Sequence, residues 1–257
     1  MNQGEQSKVH LLGITVDPFD LDETVAAVGR LMESNGLAHV VTANLDYLEQ
    51  AQRDAGLADV VGRADLVVPD GVPLLWMAAW SRQHLPGRVN GTDLVVRLLS
   101  AASERGWKVA LLGGDPGVAE AAAKAAHARW GTPVGGVWQL TPAEVGDREV
   151  SNRIASEVGD LGRPLVLIAL GAGRQDKWIS EHRQLLGNGV AIGVGSALDF
   201  IAGTRPRAPL AFQRTGFEWL WRMLQEPRRL WRRYLVDDLG LLCRFGMRSL
   251  VLRLRRG

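Results

Sequence analysis

Between residues 9 and 203, short apolar runs stop at glycine, proline or asparagine, and stretches with apolar residues three and four apart follow them. Residues 9–16 (VHLLGITV) read as a strand. Asp20 and Glu23 then form a reciprocal N-cap pair ahead of Leu21, Val25, Val28 and Met32, which recur at helical spacing. A strand over 39–42 ends at Ala43-Asn44, and a helix continues to about residue 54. Another over 66–68 stops at Pro69-Asp70-Gly71. At 109–117 (VALLGGDPG) an apolar strand enters a Gly-rich turn, and Asp115 with Pro116 is expected to open the helix beyond it. Thr141 and Glu144 are expected to cap a further helix. Residues 165–173 (LVLIALGAG) hold the most apolar strand, and the last, over 190–194, breaks at Gly195.

Repeated strand–turn–helix units with fully apolar strands predict an α/β fold, a parallel sheet with helices on both faces. In such sheets ligands bind at the carboxyl ends of the strands. The polar residues collect at those ends: Thr42, Asn44, Asp70, Gly113-Gly114-Asp115, Gln175 and Asp199. Near Gly203 the character changes. Residues 204–257 lose the strand pattern and become arginine, leucine and tryptophan at helical spacing, interrupted at Pro227. The expected organisation is an α/β domain over 1–203 and a basic helical appendage over 204–257.

Charge sharpens that division. From Arg205 onward thirteen arginines stand against Glu218, Glu226, Asp237 and Asp238, so the end carries +9 and residues 1–204 carry −7 of the overall +2. A mildly acidic body with a basic end points to phosphates of a membrane, a nucleic acid or a substrate, or to a merely solvated basic face. Trp219, Trp221 and Trp231 alternate with the arginines, as rings do at the headgroup level of a bilayer. Asp237, Arg244, Arg248 and Arg255 share one sector of the last helix, but Arg253 spoils a clean apolar face. The pattern fits an interfacial helix or one packed on a second subunit. No run of about 18 apolar residues occurs, so no spanning helix is expected. The polar start lacks a secretory core, and the single cysteine, Cys243, fits a reducing compartment and a packing role. The expected location is cytoplasmic.

Several chemistries find no support. The five histidines are scattered, no Asp-x-Asp pair occurs, and no metal site is expected. The Gly-x-Ser-x-Gly elbow of a hydrolase is missing. The turn at 112–117 matches neither the dinucleotide fingerprint nor the Walker pattern; it is either a phosphate cradle or a plain tight turn. Asp70 is more informative. Placed directly after a strand, between Pro69 and Gly71, it faces the ligand edge, unless it only serves a turn or cap. Thr42, Asn44, Arg88 and Asn90-Gly91-Thr92-Asp93 in the same half favour the ligand.

Seven blocks, in order, resemble the WecG/TagA/CpsF family, glycosyltransferase family 26, across about residues 9–235. They include VTANLDYLEQAQRD (41–54), ADLVVPDGVPLLW (64–76), RVNGTDLV (88–95), VALLGGDPGVAEAAA (109–123) and LIALGAGRQDKWI (167–179). The last two are GVGSALDFIAGTRPRAP (193–209) and GFEWLWRMLQEPRRLWRRYL (216–235). The resemblance implies a Rossmann-like domain with a C-terminal appendage, acting on UDP-sugars and polyprenyl-diphosphate-linked sugars in cell-surface polymer synthesis, without a cofactor. It makes Asp70 the catalytic base and Thr42, Asn44, Arg88, Asp93, Gln175 and Asp199 substrate-binding residues. Arg174-Gln175-Asp176 departs from the Pro-Lys-Gln-Glu commonly seen in the family.

The expected chemistry is an inverting, metal-independent transfer. A sugar hydroxyl needs a base as its bond to the anomeric carbon forms, and the departing diphosphate needs counter-charge. With no metal-ligand cluster, arginines are expected to supply it: Arg88 from the body and Arg222, Arg229 or Arg232 from the appendage. A nicotinamide oxidoreductase lacks its fingerprint here. A non-enzymatic module binding nucleic acid or membrane would explain the arginines but not the polar residues at strand ends.

Overall fold

The computed structural model describes residues 7–141 and 143–254, with the side chains of Arg214, Arg229, Arg233, Arg248 and residues 250–254 left aside. Six parallel strands form the sheet: β3 (Leu37–Ala43), β4 (Leu66–Pro69), β5 (Val109–Gly113), β6 (Val134–Trp138), β7 (Leu165–Ala169) and β8 (Gly189–Gly193). Their order is β4-β3-β8-β7-β5-β6. Both faces of the inner strands are buried because, apart from His39 and Thr42 of β3, every position is apolar or glycine. Val40, Val68, Leu111, Leu167 and Ile192 face one side, while Val41, Val67, Leu112, Ile168 and Ala191 face the other. The first side is covered by α1 (Leu21–Glu33), α5 (Gly91–Arg105), α6 (Val118–Trp130) and α10 (Ala197–Ala202). The second carries α2 (Leu45–Arg53), α3 (Ala55–Gly62), α4 (Val72–Trp80), α7 (Arg148–Gly159), α8 (Arg174–Glu181) and α9 (Arg183–Leu186). The expected α/β architecture is thus present.

Three local expectations are corrected. Residues 9–16 are a hairpin, not one strand: β1 (Val9–Leu11) and β2 (Ile14–Val16) pair antiparallel around Leu12-Gly13, both at positive φ. A leucine there carries no sequence signal for a two-residue turn, which asparagine or glycine would supply. The hairpin covers the edge of β4 through Asp17, whose N–H donates to Val67 O (2.7 Å) and whose Oδ2 accepts from Val67 N (2.8 Å). Second, α6 starts at Val118 behind Gly117, and Asp115-Pro116 form the turn ahead of it. Third, Thr141 and Glu144 do make the reciprocal pair, but around a single 3₁₀ turn (Glu144–Gly146); Asp147 caps α7. β6 has no counterpart among the expected strands. It is a half-exposed edge carrying Gly135-Gly136, so it lacks the apolar run that marks its neighbours.

Beyond Gly203, at φ +76°, the chain forms α11 (Leu210–Thr215), α12 (Glu218–Gln225), α13 (Pro227–Arg232), a π-helical segment (Arg233–Asp238) and α14 (Leu239–Leu254). These helices pack on the body. Leu241 is 4% exposed within the cluster formed by β1, β2, α2 and α4, and Gly246 lies so close to Trp80 that a Cβ would stand 3.3 Å from its ring. The opposite side of this segment leaves Trp231, Leu235, Val236, Leu239, Cys243 and Met247 exposed. Trp219 and Trp221 turn inward, against Tyr234 (5.6 Å between ring centres) and Phe212 (5.7 Å). Arg255 lies outside the described residues, as do the side chains of Arg248 and Arg253. No helix of the described residues is long and apolar enough to cross a membrane.

Candidate active site

The parallel register brings the carboxyl ends of five strands to one edge, with Ala43 opposite Pro69, Gly113 opposite Ala169, and Ile168 opposite Gly193. A cleft of about 400 Å³ opens there, at the point where the chain order reverses across the sheet. Gly113 is required just beneath it, before the lining residue Gly114: φ is +84°, and a Cβ would stand 2.8 Å from Ala169 O. Only glycine takes this backbone without strain.

Asp70 enters as the residue after β4, its N–H donating to Ala43 O (2.7 Å), while Gly71 at φ +116° turns the chain into α4. Across from it α5 begins. Asn90 Oδ1 caps that helix, accepting from Thr92 N (3.0 Å) and Asp93 N (3.2 Å). Gly91 then lies so close that a Cβ would sit 3.7 Å from Asp70 Oδ2 and 3.8 Å from Thr42 Oγ1. Burial pushes the Asp70 carboxyl up to about 6; Arg222 pulls it down, Glu218 pushes it up, and the Gly91 N–H and Arg88 pull it down.

Thr42 and Asn44 flank this point. Thr42 Oγ1 donates to Gly193 O at 3.5 Å, and Asn44 Oδ1 caps α2 by accepting from Tyr47 N at 3.0 Å. Gln175 is 6% exposed in the first turn of α8, lies over Gly193, and has a buried Oε1 with no partner among the described residues. Its neighbour Asp176, at the departure from the family pattern, is buried and reaches His39 Nε2 (3.1 Å) on β3, fixing that turn of α8. Asp199 lines the cleft from α10, where burial raises its pKa against the pull of Arg205 (3.3 Å). Arg222 reaches in from α12.

Other expected residues lie outside the polar cleft, although Arg88 lines the cavity that adjoins it. Arg88 donates to Glu218 (3.4 Å) and to the Gln213 carbonyl, so its guanidinium ties the C-terminal helices to the body. Asp93 accepts from Arg207 (2.7 Å) and is not among the cleft's lining residues. Arg232 is exposed, and the Arg229 side chain falls outside the described residues. In their place the cleft holds Arg205 and Arg174. In the sequence these are two arginines among many, with no local sign that they line the cleft or that Arg205 meets Asp199. Among the described residues no group of three His, Cys, Asp or Glu gathers to hold a metal ion.

A second cavity of about 260 Å³ adjoins the first, walled by Trp76, Phe217, Trp219, Tyr234, Leu239 and Leu242. The two share Asn44, Asp70, Asn90, Glu218 and Arg222.

Residues 9–256 match the profile of the family described as Glycosyl transferase WecG/TagA/CpsF family. The chain belongs to this family. The WecG/TagA/CpsF match runs past the seven blocks through α14, so the C-terminal helices lie within the family's own extent. The protein is a glycosyltransferase. It is similar to the N-acetylglucosaminyldiphosphoundecaprenol N-acetyl-beta-D-mannosaminyltransferase of Bacillus spizizenii, with 32% identity over 79% of this chain and 77% of the relative. A Staphylococcus aureus protein of the same name shares 27% identity over 88% of each chain.

Proposed function

We propose that this chain transfers a hexose or N-acetylhexosamine from a UDP-sugar to a polyprenyl-diphosphate-linked saccharide in cell-surface polymer synthesis, by one inverting displacement without a metal ion. The observation that carries this reading is the place of Asp70 at the junction of two cavities of different character. The polar cleft over the strand ends suits a nucleotide diphosphate sugar. The aromatic and aliphatic groove suits an acceptor whose diphosphate leads to an isoprenoid. A base must touch both substrates, and Asp70 lines both cavities.

In the transfer, the acceptor hydroxyl gives its proton to the Asp70 carboxylate as its oxygen bonds to the anomeric carbon. The bond from that carbon to the diphosphate breaks, and UDP leaves with the electron pair. Arg222 and Arg205, which line the cleft, supply counter-charge to the departing diphosphate, Arg205 by shifting from its pairs with Asp199 and Glu226. Glu218, the other carboxylate shared by the cavities, is occupied by Arg88, Arg207 and Asn90, which leaves Asp70 as the free base and argues against a covalent second carboxylate. Thr42, Asn44 and Gln175, which line the cleft, orient the sugar in this reading.

The exposed apolar face of the C-terminal helices, with Arg228, Arg232 and Arg244 also exposed, is read as the surface that meets the cytoplasmic leaflet, where the acceptor resides. The relatives' names make N-acetylmannosamine the sugar to test first and diphosphate-linked N-acetylglucosamine the first acceptor. Purified protein mixed with UDP-N-acetylmannosamine and a short-chain acceptor of that type should release UDP and extend the acceptor by one residue. No UDP release with any member of a panel of UDP-sugars would overturn the proposal.

A further inference from the structure

Asp70 and Glu218 are the acids that line both cavities among the described residues. They come from distant parts of the chain, Asp70 from the end of β4 and Glu218 from the first turn of α12. The Glu218 side chain is 15% exposed and spans three donors. Its Oε2 accepts from Asn90 Nδ2 (2.7 Å) and Arg88 Nη1 (3.4 Å), and its Oε1 lies 3.5 Å from Arg207 Nε. Asn90 is the cap of α5, whose first residue, Gly91, is the backbone neighbour of Asp70. One short chain of contacts therefore runs from α12 through Asn90 and Gly91 to the base.

We propose that Glu218 is a positioning residue for the transfer: its carboxylate ties the C-terminal helices to the cap of α5, so that Asp70 is set for proton removal only when those helices are docked. The proposal rests on Asp70 being the base. Packing α12 on the body for shape alone would need no carboxylate at the junction of the cavities, where desolvation opposes it. Its charge has a second effect. Asp70 faces Arg222 and Glu218 from α12, Arg88 from the preceding loop and the Gly91 N–H from α5. Glu218 in turn faces Arg88, Arg207 and Asn90, and Arg207 is shared with Asp93. Without the Glu218 charge the arginines act on Asp70 unopposed, which makes its carboxylate a weaker base.

The test compares full-length wild type with Glu218→Gln, Glu218→Asp and Asp70→Asn, measuring kcat and KM from acid to neutral pH alongside UDP binding and melting temperature. Glu218→Gln keeps an acceptor for Asn90 but removes the charge. We expect its kcat to fall about ten-fold at neutral pH, and the acid limb of its rate profile to move down by about one pH unit. Glu218→Asp keeps the charge but is one methylene short, so its limb should stay while kcat falls. Wild-type kcat with an unmoved limb in Glu218→Gln overturns the proposal, as does a lowered kcat with an unmoved limb, which a merely structural role would give. If Glu218→Gln fails to fold, wild-type kcat in Glu218→Asp overturns it. Should Asp70→Asn turn over normally, the base assignment itself falls; should that variant be dead while Glu218→Gln matches wild type, only the role of Glu218 falls.

Discussion

Replacing Asp70 by asparagine should do two opposite things, and both follow from the same burial. The side chain keeps its size, but the group that accepts the acceptor's proton is gone. Loss of a general base lowers turnover about 10²–10⁴-fold, or about 3–5 kcal/mol in the barrier. Stability should move the other way. The Asp70 carboxyl is pushed up to about 6 from an ordinary value of 3.8, so the folded chain binds its proton more tightly than the unfolded chain does. Between those values stability falls as pH rises, and at neutral pH the ionised carboxylate costs the fold up to about 3 kcal/mol. The neutral amide escapes that cost. Asp70→Asn should therefore melt several degrees higher than wild type at pH 7, with the gap closing toward pH 4. The wild type's own rate should drop about ten-fold per pH unit below 6. Scanning fluorimetry across pH, beside a UDP-release assay at saturating donor and acceptor, measures both. A variant that is inactive but also destabilised at pH 7 would refute the burial argument; one that turns over near normally would refute the base.

Other perturbations separate the remaining parts. Chelation with EDTA should leave turnover unchanged; loss of activity restored by magnesium or manganese would mean that arginines are not the diphosphate's main counter-charge. Arg222→Gln should weaken UDP binding and lower kcat together, by about ten-fold or more, as read by calorimetry and initial rates. Leu239→Glu with Met247→Glu, both on the exposed face, should abolish sedimentation with anionic liposomes while melting stays within a degree or two; unchanged sedimentation would place the membrane contact elsewhere. Gly113→Ala should lower the melting temperature by several degrees, because a Cβ at 2.8 Å from Ala169 O adds a clash to a positive φ.

Local signals in the sequence were legible because their causes are local. The Asp20–Glu23 capping box, the apolar runs of β5 and β7, and the position of Asp70 after β4 all depend on a handful of adjacent residues. The hairpin and β6 were hidden for the same reason: Leu12 and Gly135-Gly136 carry no local mark of what they do. The site's charge pairing was illegible. Arg88 and Glu218 are 130 positions apart, and nothing in their neighbourhoods says that they meet. Nor does all of the +9 at the basic end face outward, because Arg205 and Arg207 turn inward to Asp199, Glu226 and Asp93.

The π-helical segment between α13 and α14 sets the phase of everything after it. An α-helix advances about 100° per residue, and a π-turn accommodates one residue more per turn. Deleting one residue within 233–238 would let this stretch close into α-helix with α14 still in phase, but closing it with every residue kept would rotate α14 by about 100°. Leu241 would then turn away from α4, and a different row of side chains would meet the solvent. The π-turn thus absorbs one residue that an α-helix would pass on as rotation, and in doing so it decides which side of the last helix is hidden and which is offered.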